Sequence, residues 1–457
     1  MSGVSTPDAP ARVAGEFKDI ARHALTILVG QLAVMAFGLT DTIVAGRHSD
    51  ASLAALSVGS AVYISIYMAL TGVFQALLPV WAQLHGANDP LALGRSLRQS
   101  LYLWVIASVL GVALLMAPGP LLRWVQVPAA MRAEVGDYLA VLACALPFAL
   151  LFRIYGTLNQ GLGRPVLVTW LQMGSLLVKV PLSALLALGW GPLQGWGAVG
   201  CAWATLVVYV LMALVALVLL RRQPLYRPYG LWARPEAPHG PTLVRFARLG
   251  VPTGLSYLVD VTSLTLMALF ISRQGTLPTA AHQIAASMVG MLYMVPLSMA
   301  VATSARVGYW LGTGNPAQAR HAVGLGIRTA ACMALASAAA LLLARHAIAA
   351  LYSNNAAVTA LAASLLGWVA FFHLGDAIQC FCAFVLRCWN ITLSTFAVYA
   401  LMLWGVGLGG GYALAYSHLF GEPWNSPQAF WLAGGSALWL TAAAFLAMLV
   451  LTLRRRT

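Results

Sequence analysis

Long apolar stretches closed by short polar interruptions recur along the whole chain. Twelve of them exceed 20 residues, near 24–46, 53–84, 97–118, 134–156, 166–189, 196–220, 246–272, 280–311, 324–344, 357–385, 392–416 and 429–452. At ~1.5 Å per residue, 20 residues cover a ~30 Å hydrocarbon core. Within each stretch the apolar residues run continuously instead of alternating, which excludes a β-barrel. The pattern therefore predicts an all-α polytopic membrane protein with twelve transmembrane helices, numbered here as spans 1 to 12.

One long polar connection interrupts the series. RRQPLYRPYGLWARPEAPHGPT, residues 221–242, is rich in Pro and Arg and divides the spans into six and six. Shifting the sequence by 226 positions superposes Arg47 on Arg273, Tyr67-Met68 on Tyr293-Met294, Gly86 on Gly312 and Pro90 on Pro316 without a gap. GANDP after span 2 thus matches GTGNP after span 8. An even number of spans per repeat keeps both repeats in one orientation, related by an axis along the membrane normal. The expected architecture is two pseudo-symmetric six-helix lobes around a central cavity, as in secondary transporters whose lobes rock. The corresponding divisions are a cytoplasmic N-terminal segment (1–23), a first lobe (24–220), a cytoplasmic linker (221–245), a second lobe (246–452) and a basic cytoplasmic tail (453–457).

Composition agrees with this pattern. Of 457 residues, 61% are hydrophobic and 8% charged, against roughly 25% charged in soluble domains. The net charge of +14 would suit a nucleic-acid partner, but its distribution argues against one. Basic residues concentrate in the N-terminus (Arg12, Lys18, Arg22), in alternate loops (Arg95, Arg98, Arg164, Arg221, Arg222, Arg227, Arg234, Arg320, Arg387) and in the tail (Arg454, Arg455, Arg456). The opposite side holds Arg47, Arg123, Arg132, Arg273 and Arg345. This is the positive-inside bias, so both termini are expected in the cytoplasm of a bacterial inner membrane protein. The first residues lack the charged start, short apolar core and cleavage site of a signal peptide, so the segment is expected to be retained. The six cysteines lie in or beside apolar helices; Cys380 and Cys382 are too closely spaced for zinc, and packing roles are expected.

Against this background three of the twelve carboxylates stand out: Asp41 in GLTDTIVAG, Asp260 in SYLVDVTSL and Asp376 in FHLGDAIQC. A carboxylate at mid-membrane costs ~2.5–3.5 kcal/mol on insertion scales, so each is a functional candidate by default. The plainer reading, a neutral Asp holding two helices together, applies less readily to three. Asp260 follows Arg248 by twelve residues and Asp376 precedes Arg387 by eleven, which puts both roughly 17–18 Å from the cytoplasmic edge. Two carboxylates that meet cannot both stay ionised cheaply, so one should hold a proton or a cation should sit between them. His373, three residues before Asp376, shares its helical face and suits a proton relay or plain packing equally.

Lys179, one of only two lysines, lies inside span 5. Helical counting places it about 23 Å from Arg164 and Asp41 about 28 Å from Arg22, within reach of each other along a lysine stem. A buried Lys179–Asp41 ion pair is one reading; a lysine snorkelling to the headgroups is the other. Pro181, two residues on, removes a helical hydrogen bond and marks a bend.

The stretches QLAVMAFGLTDTIVAGR, PVWAQLHGA, AAHQIA with MVPLSMA, and FHLGDAIQ resemble the multidrug and toxic compound extrusion (MATE) family, in its NorM-like branch. The resemblance implies export of cationic or amphipathic drugs by antiport against H+ or Na+, with no other cofactor. It implies that Asp41 is the first-lobe coupling acid and that Asp376 is the second-lobe cation-site acid. Asp260 stands where many members have Glu, and Tyr293 fits the same cation site, where Na+ at Asp260, Asp376 and Tyr293 is the metal candidate. Ser183, Thr205, Gln31, Gln283 and His373 complete the set as supporting residues, Gln283 resembling a substrate-contacting glutamine. Three departures stand against this pattern. Lys179 and Ser183 replace Asn and Asn or Asp, Val34 replaces a glutamine, and the loop YSNNAAV carries neutral Asn354 and Asn355 where acids are common.

Ion-coupled drug efflux by a monomer in the bilayer is thus the leading expectation, with H+ favoured because a tethered ammonium stands where relatives hold a mobile cation. A flippase or exporter of lipid-linked saccharide from the same superfamily is the alternative; such proteins line their cavity with arginines, whereas here the interior basic candidates are Lys179 and Arg153. An enzyme would need clustered His, Asp and Glu, and the nine histidines are scattered. A receptor without turnover would bind without ion-dependent flux. GVGLGGG at 405–411 reads as close helix packing and not as a nucleotide loop.

Overall fold

With no water in a bilayer core, a crossing segment must satisfy its backbone internally, which an uninterrupted helix does. The structure, a computed structural model, describes residues 9–119, 128–190, 193–234, 236–419 and 421–455. Arg123, Arg456 and residues 1–8 of the expected N-terminal segment lie outside the described residues, as do the side chains of residues 9–14.

All twelve apolar stretches are helices long enough to cross: Gly15–His48, Asp50–Gly86, Pro90–Met116, Met131–Gly161, Val166–Leu188, Gly197–Arg222, Gly240–Ser272, Thr276–Gly312, Pro316–Tyr352, Ala356–Trp389, Leu393–Tyr416 and Pro427–Arg455. The helices overrun the apolar stretches, because polar residues at the ends are good helix formers that need not be apolar once past the hydrocarbon. The helix of span 1 begins at Ala9, so the segment before residue 24 is in part helix and not a loose arm. Span 5 stays helical through Pro181. Short strands Gly189–Trp190 and Leu193–Gln194 pair antiparallel between spans 5 and 6.

The internal repeat is visible at atomic detail. Asp89 caps the helix of span 3 by accepting from the Ala92 amide at 2.9 Å, and Asn315, 226 residues on, caps span 9 by accepting from the Gln318 amide at 3.1 Å. Each is followed by Pro at the first helical position, where the missing N–H costs nothing. Each is preceded by a left-handed residue, Asn88 at φ 53° and Gly314 at φ 73°. Side-chain packing repeats too. Span 4 packs against spans 2, 3 and 6, and span 10 against spans 8, 9 and 12, so the fourth helix of each repeat forms the core of its bundle.

The chain divides into two compact units, Val29–Leu258 and Met1–Leu28 with Val259–Thr457. The divisions fall inside the helices of spans 1 and 7, whereas sequence placed lobe boundaries at 24 and within 221–245. A helix this long can rest its two halves on different neighbours, which apolar runs cannot report.

Residues 221–234 and 236–239 form a strap on the first unit. Arg98 donates to the Gly230 carbonyl at 2.6 Å and to Glu236 at 2.7 Å. The Gln99 amide reads the backbone at both ends, donating to the Ala237 carbonyl and accepting from the His239 amide, each at 2.9 Å. Tyr226, buried, donates to Asn159 Oδ1 at 2.8 Å. Burial raises the pKa of the Tyr226 and Tyr229 phenols above the ordinary value, keeping both as protonated donors.

The glycine-rich stretch of span 11 is a π-helix over Leu401–Gly409 that returns to α at Gly410–Tyr416. Close packing is its context as expected: a Cβ on Gly407 would stand 3.5 Å from that of Ala437 and 3.6 Å from the Gly434 backbone in span 12. The widened turn itself was not legible, although such turns gather at functional sites.

Candidate functional site

Each unit holds buried charged side chains within its spans. In the first unit, Lys179 is completely buried and its Nζ lies 2.8 Å from Asp41 Oδ1. The same ammonium donates to the Cys201 carbonyl at 3.0 Å and to Thr205 Oγ1 at 2.6 Å, so all three of its donors are used. Ser183, one turn from Lys179 on the same face of span 5, donates to Asp41 Oδ1 at 3.0 Å. Thr205 closes the ring by donating to the Cys201 carbonyl at 2.9 Å. The Cys201 thiol sits 3.8 Å from the Asp41 carbonyl. The pairing reading of Lys179 matches this geometry. Snorkelling does not, since no part of the side chain reaches the surface. Pro181 contributes by having no N–H for the carbonyl of Leu177, a local slack beside the charge.

The second unit brings Asp376 within electrostatic reach of Asp260. Asp260 accepts the Tyr399 hydroxyl at 2.9 Å, and Asp376 accepts the Gln379 amide at 2.9 Å. The Tyr293 hydroxyl of span 8 lies 3.8 Å from the Sγ of Cys380, which follows Asp376 by one turn of span 10. A cavity of about 20 Å³ borders Asp260 and is lined by Ser263, Phe372, Phe430, Gly434 and Gly407 of the π-helix. It has room for about one water-sized particle. Ser263 Oγ is buried without a hydrogen-bond partner among the described residues. A desolvated hydroxyl facing a small void beside a carboxylate suits a single bound water, hydronium or bare cation. Among the described residues no three His, Cys, Asp or Glu side chains gather to hold a metal ion, so the Na+ set expected at Asp260, Asp376 and Tyr293 has two carboxylates and a phenol.

Other expected residues stand apart. His373 Nε2 lies 2.8 Å from Ser337 Oγ, a contact that suits the packing reading. Gln283 is exposed, its carbonyl accepting from Ser287. Gln31 is half-buried ten residues before Asp41, about 15 Å along the helix. Asn355 caps span 10 through the Ala357 amide at 2.9 Å. Of the cysteines, Cys144 and Cys332 are exposed on their helices and the other four buried.

Several participants escaped sequence reading. Gln379 was accessible from spacing, three residues after Asp376 on one face. Tyr399 and the Cys201 carbonyl required knowing which helices pack together. Glu16, counted among terminal carboxylates, is buried: it accepts from Arg306 Nε at 2.9 Å, from Arg306 Nη2, and from Trp310 Nε1 at 3.1 Å.

Twelve spanning helices in two repeated bundles, each with buried acid, define a polytopic membrane protein built from an internal repeat. The MatE family profile matches residues 26–185 and 252–413, and the chain belongs to that family. It is similar to the probable multidrug resistance protein NorM of Aromatoleum aromaticum, 34% identical over 452 residues, covering 99% of this chain and 97% of that one. It is equally similar to the multidrug resistance protein PmpM of Pseudomonas aeruginosa, 34% identical over 436 residues, 95% of this chain and 91% of that one. The crystal structure of the eukaryotic MATE transporter AtDTX14 shares the fold with a TM-score of 0.86 at 19% identity, over 96% of each chain.

Proposed function

We propose that this protein exports cationic or amphipathic organic compounds from a bacterial cytoplasm by antiport, with H+ favoured over Na+ as the driving ion. The observation that carries the choice of ion is the fully partnered Lys179 ammonium on Asp41. A tethered cation cannot dissociate, so the first unit has no vacancy for Na+ at Asp41. The pair is discharged by a proton instead, which frees Asp41 from Lys179 and lets span 1 move relative to span 5. The second unit offers the complementary acid pair, Asp260 and Asp376, with space for one small cation or hydrated proton. An ion entering either centre drives export only by binding one conformation better than the other. The relatives named as multidrug resistance proteins support the substrate class.

Purified protein in proteoliposomes, loaded with a fluorescent organic cation and given an imposed ΔpH or ΔNa+, tests the reading. Transport should follow ΔpH, vanish in Asp376→Asn, and change its ion dependence or pH profile in Lys179→Asn. Normal transport by Asp376→Asn would remove the second-unit centre from the mechanism, and Na+-driven transport by the parent protein would overturn the choice of ion.

A further inference from the structure

Span 1 is one unbroken helix from Ala9 to His48, yet its first part belongs to one unit and its remainder, from Val29, to the other. Each part carries a buried ion pair. Asp41 meets Lys179 in the first unit, and Glu16 meets Arg306 in the second. Along the helix the two acids are 25 residues, about 37 Å, apart. The inner centre is built as carefully as the outer. Glu16 takes both nitrogens of the Arg306 fork and the Trp310 indole. The guanidinium sits 5.6 Å from the Tyr309 ring and 5.4 Å from the Trp310 ring, and 3.9 Å from the exposed Asp19. Two turns from Glu16 on the same face lies His23, buried, with Nε2 lacking any hydrogen-bond partner among the described residues.

The first helix of the second repeat shows the same division but a different fastening. Span 7 changes unit at Leu258/Val259, and its early part lies on span 2 through glycines. A Cβ on Gly72 would come within 2.7 Å of the Gly254 Cα, and one on Gly250 within 2.6 Å of Val73 Cγ1. Such smooth backbone contacts tolerate sliding. A bidentate charged pair is either formed or broken, because its strength depends on donor angle and on a distance near 3 Å.

We propose that Glu16, Arg306 and Trp310 form the cytoplasmic latch of span 1, which opens and re-forms once in every transport cycle. The inference rests on the carrier reading above, in which span 1 changes its contacts as the transport cycle turns. The proton that releases Asp41 from Lys179 frees the outer part of span 1, and the latch decides when the inner part follows. His23 poises the device, since the desolvation cost of its unpartnered nitrogen is relieved when the latch opens and water arrives. Glu16, Arg306 and Trp310 are thus positioning residues, acting on transport through span 1.

His23 also supplies the reporter. Diethyl pyrocarbonate acylates accessible imidazole nitrogens, and peptide mass spectrometry on the full-length protein in nanodiscs gives the rate at His23 relative to the exposed His321. Wild type, Glu16→Gln, Arg306→Gln and the reversed pair Glu16→Arg/Arg306→Glu are compared, each also assayed for transport. Losing hydrogen bonds to a charged partner should speed His23 modification about tenfold or more in the two single variants. The reversed pair should return the rate towards wild type and restore transport lost in the singles. In wild type, substrate or an imposed ΔpH should itself alter the His23 rate, which a static structural contact would not allow. Equal rates in all four proteins, or singles that are fast with no rescue by reversal, overturn the latch. A wild-type protein that moves no substrate under either gradient overturns the carrier reading instead, whatever the His23 rates.

Discussion

Replacing Lys179 by Met keeps the length of the stem and removes the charge. The structure fixes what is left behind: Asp41 with the Ser183 hydroxyl, the Cys201 carbonyl with only the Thr205 hydroxyl of its side-chain donors, and Thr205 without its donor. Breaking a buried pair by deleting one partner costs about 3–5 kcal/mol, because the other charge stays in low dielectric uncompensated. Lys179 is wholly buried and the Asp41 side chain only 12% exposed, so solvent screening takes little from that figure. Asp41→Leu strands the ammonium with only a carbonyl and a hydroxyl and should cost a similar amount. Removing both charges together leaves no stranded ion, and well-packed apolar replacements of buried pairs are often neutral. The double variant Asp41→Leu/Lys179→Met should therefore be more stable than either single one, although transport is lost in all three. Thermal unfolding in one detergent, followed by tryptophan fluorescence, measures the order of the midpoints. Costs that simply add in the double variant would refute the reasoning, since independent sites add and coupled ones do not.

Other outcomes follow from the same geometry. Glu236 is 43% exposed, so Glu236→Gln should leave the strap docked, a surface pair contributing at most about 1 kcal/mol. Gln99→Ala removes two backbone contacts and should speed chymotrypsin cleavage after Tyr229 and Trp232 about tenfold; an unchanged rate means the strap is held elsewhere. Gly254→Val forces a methyl-bearing carbon against the Ala69 carbonyl and Val73, and should cost about 1–3 kcal/mol in a thermal melt. Tyr399→Phe deletes one hydrogen bond to a carboxylate, about 1.5–3 kcal/mol. It should shift the coupling-ion concentration for half-maximal transport at least tenfold, and no shift would separate Asp260 from ion binding.

The helices were readable from the sequence because a membrane imposes a length and a polarity on every crossing. The repeat was readable because an offset shared over equivalent places leaves matching caps, Asp89 and Asn315 among them. Asp41 and Lys179 could be put at one depth by counting residues, since both lie on regular helices. Counting fails sideways. Nothing along the chain states that span 11 faces span 7, so Tyr399 stayed invisible, and spacing alone left His373 open between relay and packing. Glu16 was passed over because a carboxylate near a terminus is ordinarily solvated, and its partner Arg306 sits inside a different repeat. The strap was read as a linker from its Pro and Arg content, although its fixing depends on Arg98 and Gln99 in span 3, whose side chains look like ordinary loop-edge polar groups.

Glu16 and Arg306 are separated by 290 residues, and that number is also a time. At about 5–20 residues per second, the ribosome takes on the order of 15–60 s to deliver the arginine after the glutamate has emerged. Throughout that interval Glu16 has no Arg306 to pair with, while spans 2 to 7 and most of span 8 are laid down. The start of span 1 is thus made long before the side chain that fixes it.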